Sequence, residues 1–196
     1  MTNRKASQHR KTRETEITVD LNLDGAGKYE IETGIPFLNH MLELFAKHAL
    51  LDLDIKATGD LDVDYHHTVE DIGLVLGNCL NEALGDRSSI RRYGSCLLPM
   101  DESLCQVAID LGGRPFLVYK MACRKQKIRD FDVKLVEEFL RAFTVQSKIN
   151  LHVHQVYGDE VHHAYESVFK GLARALRHAV EHDPRESGIP SSKGVL

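Results

Sequence analysis

The sequence lacks several features that would assign it to a specialised class of protein. It has no tryptophan, and no apolar run approaches the length that spans a membrane. Its net charge is only −4, which gives no indication of a nucleic-acid partner. Its four cysteines stand far apart, without the spacing of a zinc site or a disulfide framework: Cys79, Cys96, Cys105 and Cys123. We therefore expect reduced thiols and a cytoplasmic location.

The composition is otherwise that of an ordinary globular domain. Hydrophobic residues make up 42% of the 196 positions and charged residues 28%, so the chain can build one sizeable core. The first segment, 1–13, is polar and basic and lacks the apolar stretch of a signal peptide. We expect this segment to be a frayed arm.

Histidine is abundant, and four of the 11 histidines stand in two copies of the motif His-His-x-x-Glu. The copies consist of His66, His67 and Glu70, and of His162, His163 and Glu166. Each copy opens a segment with the apolar spacing of a helix. On a helix, positions i and i+4 share a face, whereas adjacent positions lie about 100° apart. His66 and Glu70 could therefore bind one ion while His67 faces another. The pattern predicts two divalent metal ions; the alternative is a pair of polar helix starts.

The two halves of the chain repeat one order of predicted elements. The first half has strands at 17–23 and 29–33, expected to form a hairpin, then a helix at 37–48, a strand at 51–57, a short edge strand at 61–63 and a helix that ends near 84. The second half has strands at 104–111 and 115–121 around a Gly-Gly turn, a helix at 136–146, a strand at 151–154 and a helix that ends near 182.

This repetition predicts an α+β fold with an internally duplicated β-β-α-β-α unit. We expect a helical bundle sandwiched between two mostly antiparallel sheets. The single domain, 1–196, would consist of two repeats, at about 13–92 and 93–185, and a C-terminal tail at 186–196. Alignment of the repeats places His40 opposite Glu138, and both are further candidate metal ligands. Imidazole and carboxylate ligands suit manganese, iron, cobalt or zinc better than magnesium or calcium.

Other polar residues fit chemical roles less specifically. His48 lies on an apolar helical stripe, where a structural histidine is the ordinary alternative. A phosphate could be bound by polar residues in turns and near termini, with ordinary surface charge as the alternative; these are Arg92, Arg114, Lys170, Ser192 and Lys193.

Four motifs together resemble those of the imidazoleglycerol-phosphate dehydratase family. They are FLNHM at 37–41, DYHHTVEDIG at 64–73, PMDE at 99–102 and the second His-His-x-x-Glu copy followed by Phe169 and Lys170. We call the histidine pairs of the two copies, at 66–67 and 162–163, the first and second doublets. The likeness runs from about residue 13 to residue 194. It implies a carbon–oxygen lyase that dehydrates imidazoleglycerol phosphate to imidazoleacetol phosphate in histidine biosynthesis. It also implies a homo-oligomer of 24 subunits with shared active sites.

The resemblance also implies roles for particular residues. Two divalent ions per active site, with manganese as the first candidate, would be bound by His40, His66, His67, Glu70, His162, His163 and Glu166. Many relatives have a histidine at the position of Glu138, so the chain departs from the family there. The substrate would face Glu14, the helix from His40 to His48, and the phosphate-binding group Arg92, Arg114, Lys170, Ser192 and Lys193.

The chemistry implied by this resemblance explains the histidine-rich sites. The proton that leaves is on carbon with no carbonyl nearby, so the imidazole ring is the electron sink. Two metals on the ring nitrogens could hold it as imidazolate while electrons move through a diazafulvene-type intermediate. We expect Glu14 to take the carbon proton and His48 or a metal-bound water to help the hydroxyl leave; which of the two residues moves which proton stays open. The alternatives are a dinuclear metallohydrolase of a small phosphorylated substrate and a metal-storing shell protein.

Overall fold

The computed structural model describes residues 4–196, so positions 1–3 of the predicted arm lie outside the described residues. The strands in this part of the chain are β1 (Lys5–Lys11), β2 (Thr15–Asn22), β3 (Tyr29–Glu32), β4 (Asp52–Gly59), β5 (Tyr93–Met100), β6 (Ser103–Asp110), β7 (Phe116–Lys120), β8 (Lys127–Ile128), β9 (Phe131–Asp132) and β10 (Asn150–Tyr157). The helices are α1 (Pro36–Ala49), α2 (His66–Leu84), α3 (Lys134–Ser147) and α4 (Val161–Val180).

Two four-stranded sheets have the same topology. The first has the order β1-β2-β4-β3 and the second the order β5-β6-β10-β7. In each sheet the first three neighbours pair antiparallel and the last strand pairs parallel. The equivalence of the two sheets agrees with the duplicated pattern of the sequence.

The four helices lie between the sheets. Helix α2 packs against β1 and β2 and also against α3, whereas α4 packs against β5 and β6 and also against α1. Two glycines allow α2 and α3 to approach closely: a Cβ atom at Gly73 would lie 2.6 Å from the Phe139 carbonyl oxygen, and one at Gly77 would lie 2.6 Å from that of Phe143. The predicted α+β class, a helical bundle sandwiched between two mostly antiparallel sheets, is confirmed. No helix within residues 4–196 is both long and apolar enough to cross a bilayer.

Several predictions about strands were wrong. The basic arm is not frayed from residue 5 onwards but forms the edge strand β1, where exposed charges are tolerated. The predicted hairpin of β2 and β3 does not form, because β4 lies between them. Asp52 at the start of β4 accepts the backbone N–H groups of Ala26 (2.8 Å) and Lys28 (3.1 Å), which ties the connecting loop to β4. The segment 61–63 is a turn, closed by the Val63 N–H on the Asp60 carbonyl at 2.8 Å.

The predicted β-β-α-β-α unit also omitted the strand that comes first in each half of the structure. The observed order in the first half is β-β-β-α-β-α, because β1 precedes the strands that the sequence indicated. In the second half β5 precedes them in the same way, and the short strands β8 and β9 are added before α3. Strand β5 carries glycine at position 94, where a Cβ atom would lie 2.0 Å from the Ala175 carbonyl oxygen of α4. Because β1 begins at Lys5, strand pairing starts before the predicted repeat boundary near residue 13. The division into repeats and a tail stays a prediction.

Candidate active site

Each histidine doublet opens a long helix. His66 and His67 start α2, and the other pair follows Val161 in α4, whose N-terminus is capped by Glu160 accepting the His163 N–H at 2.8 Å. The imidazole planes of the first pair are 85° apart with ring centroids separated by 6.1 Å, and those of the second pair are 89° and 6.4 Å apart. Adjacent imidazoles therefore face different directions, as helix geometry predicts.

Three predicted ligands meet between α1 and α4. Within residues 4–196, His40, His162 and Glu166 form a cluster whose possible donor atoms all lie within 4.8 Å of one another. One oxygen of Glu166 lies 2.9 Å from the Nε2 atom of His162 and 3.5 Å from that of His40. The other oxygen pairs with Lys170. We call His40, His162 and Glu166 the α1–α4 cluster.

The carboxylate of this cluster is almost enclosed, with 7% of the Glu166 side chain exposed. Burial opposes its ionisation, but the hydrogen bond and charge of Lys170, together with the hydrogen bond of His162, outweigh burial and lower the pKa of Glu166. An ionised carboxylate beside two imidazoles is a suitable ligand set for a divalent ion of the manganese-to-zinc series.

The equivalent residues of the first doublet are more loosely arranged. The Nε2 atom of His66 lies 3.5 Å from a Glu70 oxygen, and both side chains are almost half exposed. Glu138, on α3, lines a cavity of about 610 Å³ together with His66. Glu138 thus lies near the first doublet, as His40 lies near the second. Its ligand role stays a prediction.

The second histidine of each doublet contacts an acidic side chain from a turn. The Nδ1 atom of His67 lies 2.9 Å from an Asp60 oxygen, and that of His163 lies 2.8 Å from a Glu102 oxygen. These hydrogen bonds are the main causes that raise the pKa of both histidines. Asp60 and Glu102 were not predicted as site residues. Position 102 lies in the PMDE motif, and position 60 follows the glycine that ends β4, so both had a weak sequence signal.

The two candidate acid–base residues lie beside different doublets. A Glu14 oxygen, in the turn between β1 and β2, is 4.0 Å from the Nδ1 atom of His67. His48 lies on α1, two turns beyond His40, and is half-buried. Burial is the main cause that lowers the pKa of His48, and the positive charges of Lys170 and Arg174 lower it further. A single chain therefore does not bring Glu14 and His48 to one ligand cluster.

The predicted phosphate-binding residues fall into three places. Arg92 forms a fork on Asp110, at 2.7 and 3.2 Å, and donates to the Pro190 carbonyl at 2.8 Å, so it contacts the tail that carries Ser192 and Lys193. The hydrogen bond with Asp110 raises the pKa of Arg92.

The other two members of the predicted group lie at separate positions. The Arg114 carbonyl, between β6 and β7, accepts a hydrogen bond from Asn150 at 2.7 Å. Lys170 belongs with the α1–α4 cluster, through its ion pair with Glu166. Lys170 precedes Ala179, whose carbonyl accepts the Arg92 N–H, by about 14 Å of helix. Within one chain, Lys170 is therefore separated from the Arg92 group.

The fold and these residues define the class of protein: a duplicated α+β chain with imidazole–carboxylate pairs at the starts of two helices. A family model described as imidazoleglycerol-phosphate dehydratase matches residues 33–176. A curated imidazoleglycerol-phosphate dehydratase of Clostridium novyi is 57% identical over 196 residues, which is 100% of both chains. One of Geobacter metallireducens is 54% identical over 193 residues, covering 98% of this chain and 99% of the relative.

Solved structures agree with this match. A crystal structure of imidazoleglycerol-phosphate dehydratase from Staphylococcus aureus superposes with a TM-score of 0.84 at 37% identity, covering 91% of this chain and 99% of that chain. A crystal structure of the Pyrococcus furiosus protein gives 0.83 at 36% identity, covering 96% and 100%. The chain belongs to the imidazoleglycerol-phosphate dehydratase family. It is an enzyme, a dehydratase of the carbon–oxygen lyase class, and the hydrolase and storage alternatives are set aside.

Proposed function

We propose that this dehydratase is metal-dependent and converts imidazoleglycerol phosphate to imidazoleacetol phosphate with two divalent ions per active site. Manganese is the first candidate. The observation that carries the proposal is the convergence of His40, His162 and Glu166 within 4.8 Å. The donor set fits such an ion, because two imidazoles and one ionised carboxylate suit borderline divalent metals. His66 and Glu70, with Glu138, would supply the second set.

The ions, when bound, would hold the substrate ring as imidazolate, so that electrons from the broken carbon–hydrogen bond can pass through a diazafulvene-type form of the substrate. Glu14 would remove the carbon proton, and His48 would assist the departing hydroxyl. The lowered pKa of His48 favours the neutral form of its imidazole. A neutral imidazole can accept a proton or relay one. The kinetics of Glu14 and His48 variants would show which residue moves which proton.

Phosphate binding would fix the carbon chain relative to the ligand clusters. We propose that Arg92, Arg114, Ser192 and Lys193 form the phosphate group. The contact of Arg92 with the tail carbonyl of Pro190 supports this assignment, since it brings the tail beside the guanidinium. Lys170 would act instead at the α1–α4 cluster, as a neighbour of Glu166.

We further propose that a second copy of the chain completes each site within a homo-oligomer, with 24 subunits as the family resemblance implies. The perpendicular rings support sharing, because the ring planes of His67 and His163 lie at 85° and 89° to those of their neighbours His66 and His162, so adjacent rings would not face a common ion. Their donors are then left for ligand sets formed across subunit contacts. The four free thiols support a reducing, cytoplasmic environment.

The test compares metal content with turnover. Manganese-loaded wild type should yield the ketone product from imidazoleglycerol phosphate, and removal of metal by a chelator should abolish turnover reversibly. His40→Ala should lower both the manganese content, from about two ions to about one per subunit, and the turnover. His152→Ala, an exposed histidine on β10, is the matched control and should keep both. Full turnover by metal-free protein would refute metal dependence while leaving the dehydratase class intact.

A further inference from the structure

The two repeat units differ clearly in one linker. Three residues, 33–35, join β3 to α1, whereas 13 residues, 121–133, join β7 to α3 and include the small hairpin of β8 and β9. The shorter linker shows that the fold closes without such a hairpin. The insertion therefore needs an explanation beyond the connection of two elements.

The inserted segment, which includes the hairpin, is held in place at both ends. At its start, the buried Gln155 side chain accepts the backbone N–H groups of Ala122 (3.0 Å) and Cys123 (2.8 Å). At its end, Phe131 is 1% exposed, and its ring centroid is 5.0 Å from that of Phe37. The Tyr65 hydroxyl donates to Asp130 at 2.7 Å. These contacts fix the hairpin beside the starts of α1 and α2.

The same segment carries a concentration of positive charge. The stretch from Lys120, the last residue of β7, to Asp132 contains five cations and two carboxylates, a net charge of +3 on a chain whose total is −4; without Lys120 the net charge is +2. Four of the cations stand within six positions: Arg124, Lys125, Lys127 and Arg129. All four are exposed, and none forms an ion pair with another side chain of residues 4–196.

Two of these cations lie in the walls of cavities that contain predicted metal ligands. Arg129 lines a cavity of about 300 Å³ with His40 and His162, and Lys127 lines the cavity of His66 and Glu138. The second cavity also contains carboxylates, so Lys127 offsets acidic charge there. Arg129 has φ of 56°, in the left-handed region that residues other than glycine enter at a cost. The hairpin thus places one cation beside each of the two groups of predicted metal ligands.

We propose that the hairpin of β8 and β9 attracts the phosphorylated substrate to the active site by charge, through Lys127 and Arg129. This inference rests on the proposed function, since it needs an anionic substrate. A phosphate monoester carries a charge near −2 at neutral pH, and a chain of net negative charge repels it at long range. A cluster of cations at the entrance raises the local concentration of the anion and therefore the rate of productive encounter.

The expected effect follows from the distance and the salt. For one cation roughly 10 Å from a dianion in water, the attraction corresponds to about a threefold gain at about 0.01 M salt. Neutralising two cations should therefore lower kcat/KM about sevenfold at about 0.01 M salt, and less than about twofold at about 0.3 M salt. The value of kcat should stay within about twofold, because neither side chain is assigned to the reacting atoms.

The experiment uses the full-length, manganese-loaded, assembled protein and the phosphorylated substrate. Lys127→Gln/Arg129→Gln is compared with Lys5→Gln/Lys28→Gln, which removes the same charge elsewhere. Lys5 follows Arg4, whose guanidinium contacts the Val180 carbonyl, at the end of α4 remote from the doublet. The kcat and KM values of both variants are measured across the salt range, with sedimentation to monitor assembly.

A salt-dependent loss of kcat/KM in the hairpin variant alone supports the proposal. Equal salt dependence of the two variants overturns it, as does a changed assembly size, which would make the hairpin a subunit contact. A fall in kcat that salt does not alter also overturns it, because the cations would then act on bound substrate. Absence of turnover by the loaded wild type would instead refute the proposed function, and the inference with it.

Discussion

The buried guanidinium of Arg87 joins the two repeats, and its removal should destabilise the whole fold. Only 5% of Arg87 is exposed, and one nitrogen donates to Asn81 at 2.8 Å and to the Ser147 carbonyl at 2.9 Å. The other nitrogen donates to the carbonyls of Leu111 (3.2 Å) and Lys148 (3.4 Å). Burial lowers the pKa of this guanidinium, and the hydrogen bonds compensate for lost hydration.

The magnitude follows from the acceptors that Arg87→Met would leave without a donor. Methionine keeps the aliphatic stem, so the change isolates the hydrogen bonds. Two short charged hydrogen bonds contribute about 1.5–3 kcal/mol each, and buried carbonyls left unpaired add to the loss. The relief of burying a charge offsets part of this, so we expect a net loss of about 3–5 kcal/mol. For a chain of this size, that loss lowers the unfolding midpoint by roughly 10 °C.

Thermal unfolding followed by circular dichroism provides the assay, at one fixed subunit concentration because any assembly of subunits would contribute to stability. Arg141→Met is the matched control. Arg141 is more than half exposed and pairs with Glu137 at 2.6 Å on one helix face, an interaction that stabilises by about 0.3–0.5 kcal/mol. Arg87→Lys keeps the charge with fewer hydrogen-bond donors, so its unfolding midpoint should lie between those of Arg87→Met and the wild type. Equal midpoints for Arg87→Met and Arg141→Met would refute the account of Arg87.

Three further predictions concern the site. Glu166→Gln should lower bound manganese, measured by equilibrium dialysis, from about two ions to about one per subunit, whereas Glu186→Gln in the exposed tail should retain both. A metal ion and a proton would compete for His163, and the hydrogen bond with Glu102 raises the pKa of His163. Manganese binding should therefore weaken as the pH falls through that raised pKa. Electron paramagnetic resonance measures the binding. Glu102→Gln should shift this midpoint to lower pH, and an unchanged midpoint would contradict the assignment. Asp110→Asn should raise KM about tenfold with kcat within about twofold, since it loosens Arg92, whereas Asp183→Asn should leave KM unchanged.

The helices were predictable because their determinants are local. The predicted helix at 37–48 is observed at Pro36–Ala49, and the helix after the first doublet ends at Leu84 as expected. Apolar spacing, the proline at the start of α1 and the left-handed backbone at Leu50 all act within a few residues. The candidate ligands on helices shared this advantage, since the splay of adjacent histidines is a property of the helix itself.

The partners of strands and turns were not predictable by the same reasoning. Alternation locates a strand but does not say which strand lies beside it, so the insertion of β4 between β2 and β3 could not be inferred. The acids that contact His67 and His163 come from turns that tertiary structure brings to the helix starts. Their sequence separations, 7 and 61 positions, have nothing in common that a motif could express.

Arg92 shows how the duplication changes the interpretation of a single residue. The Arg92 carbonyl accepts the Leu111 N–H, and the Arg92 guanidinium forks onto Asp110. In the other repeat the Arg4 carbonyl accepts the Leu23 N–H, and the Arg4 guanidinium forks onto Asp24. Each arginine immediately precedes the first strand of its unit, and each donates its remaining nitrogen to a carbonyl, that of Pro190 or Val180. The fork is therefore a structural feature common to both repeats, and the proposed phosphate role of Arg92 would be additional to it. The prediction of a frayed arm concealed this equivalence, because it denied Arg4 any structural role.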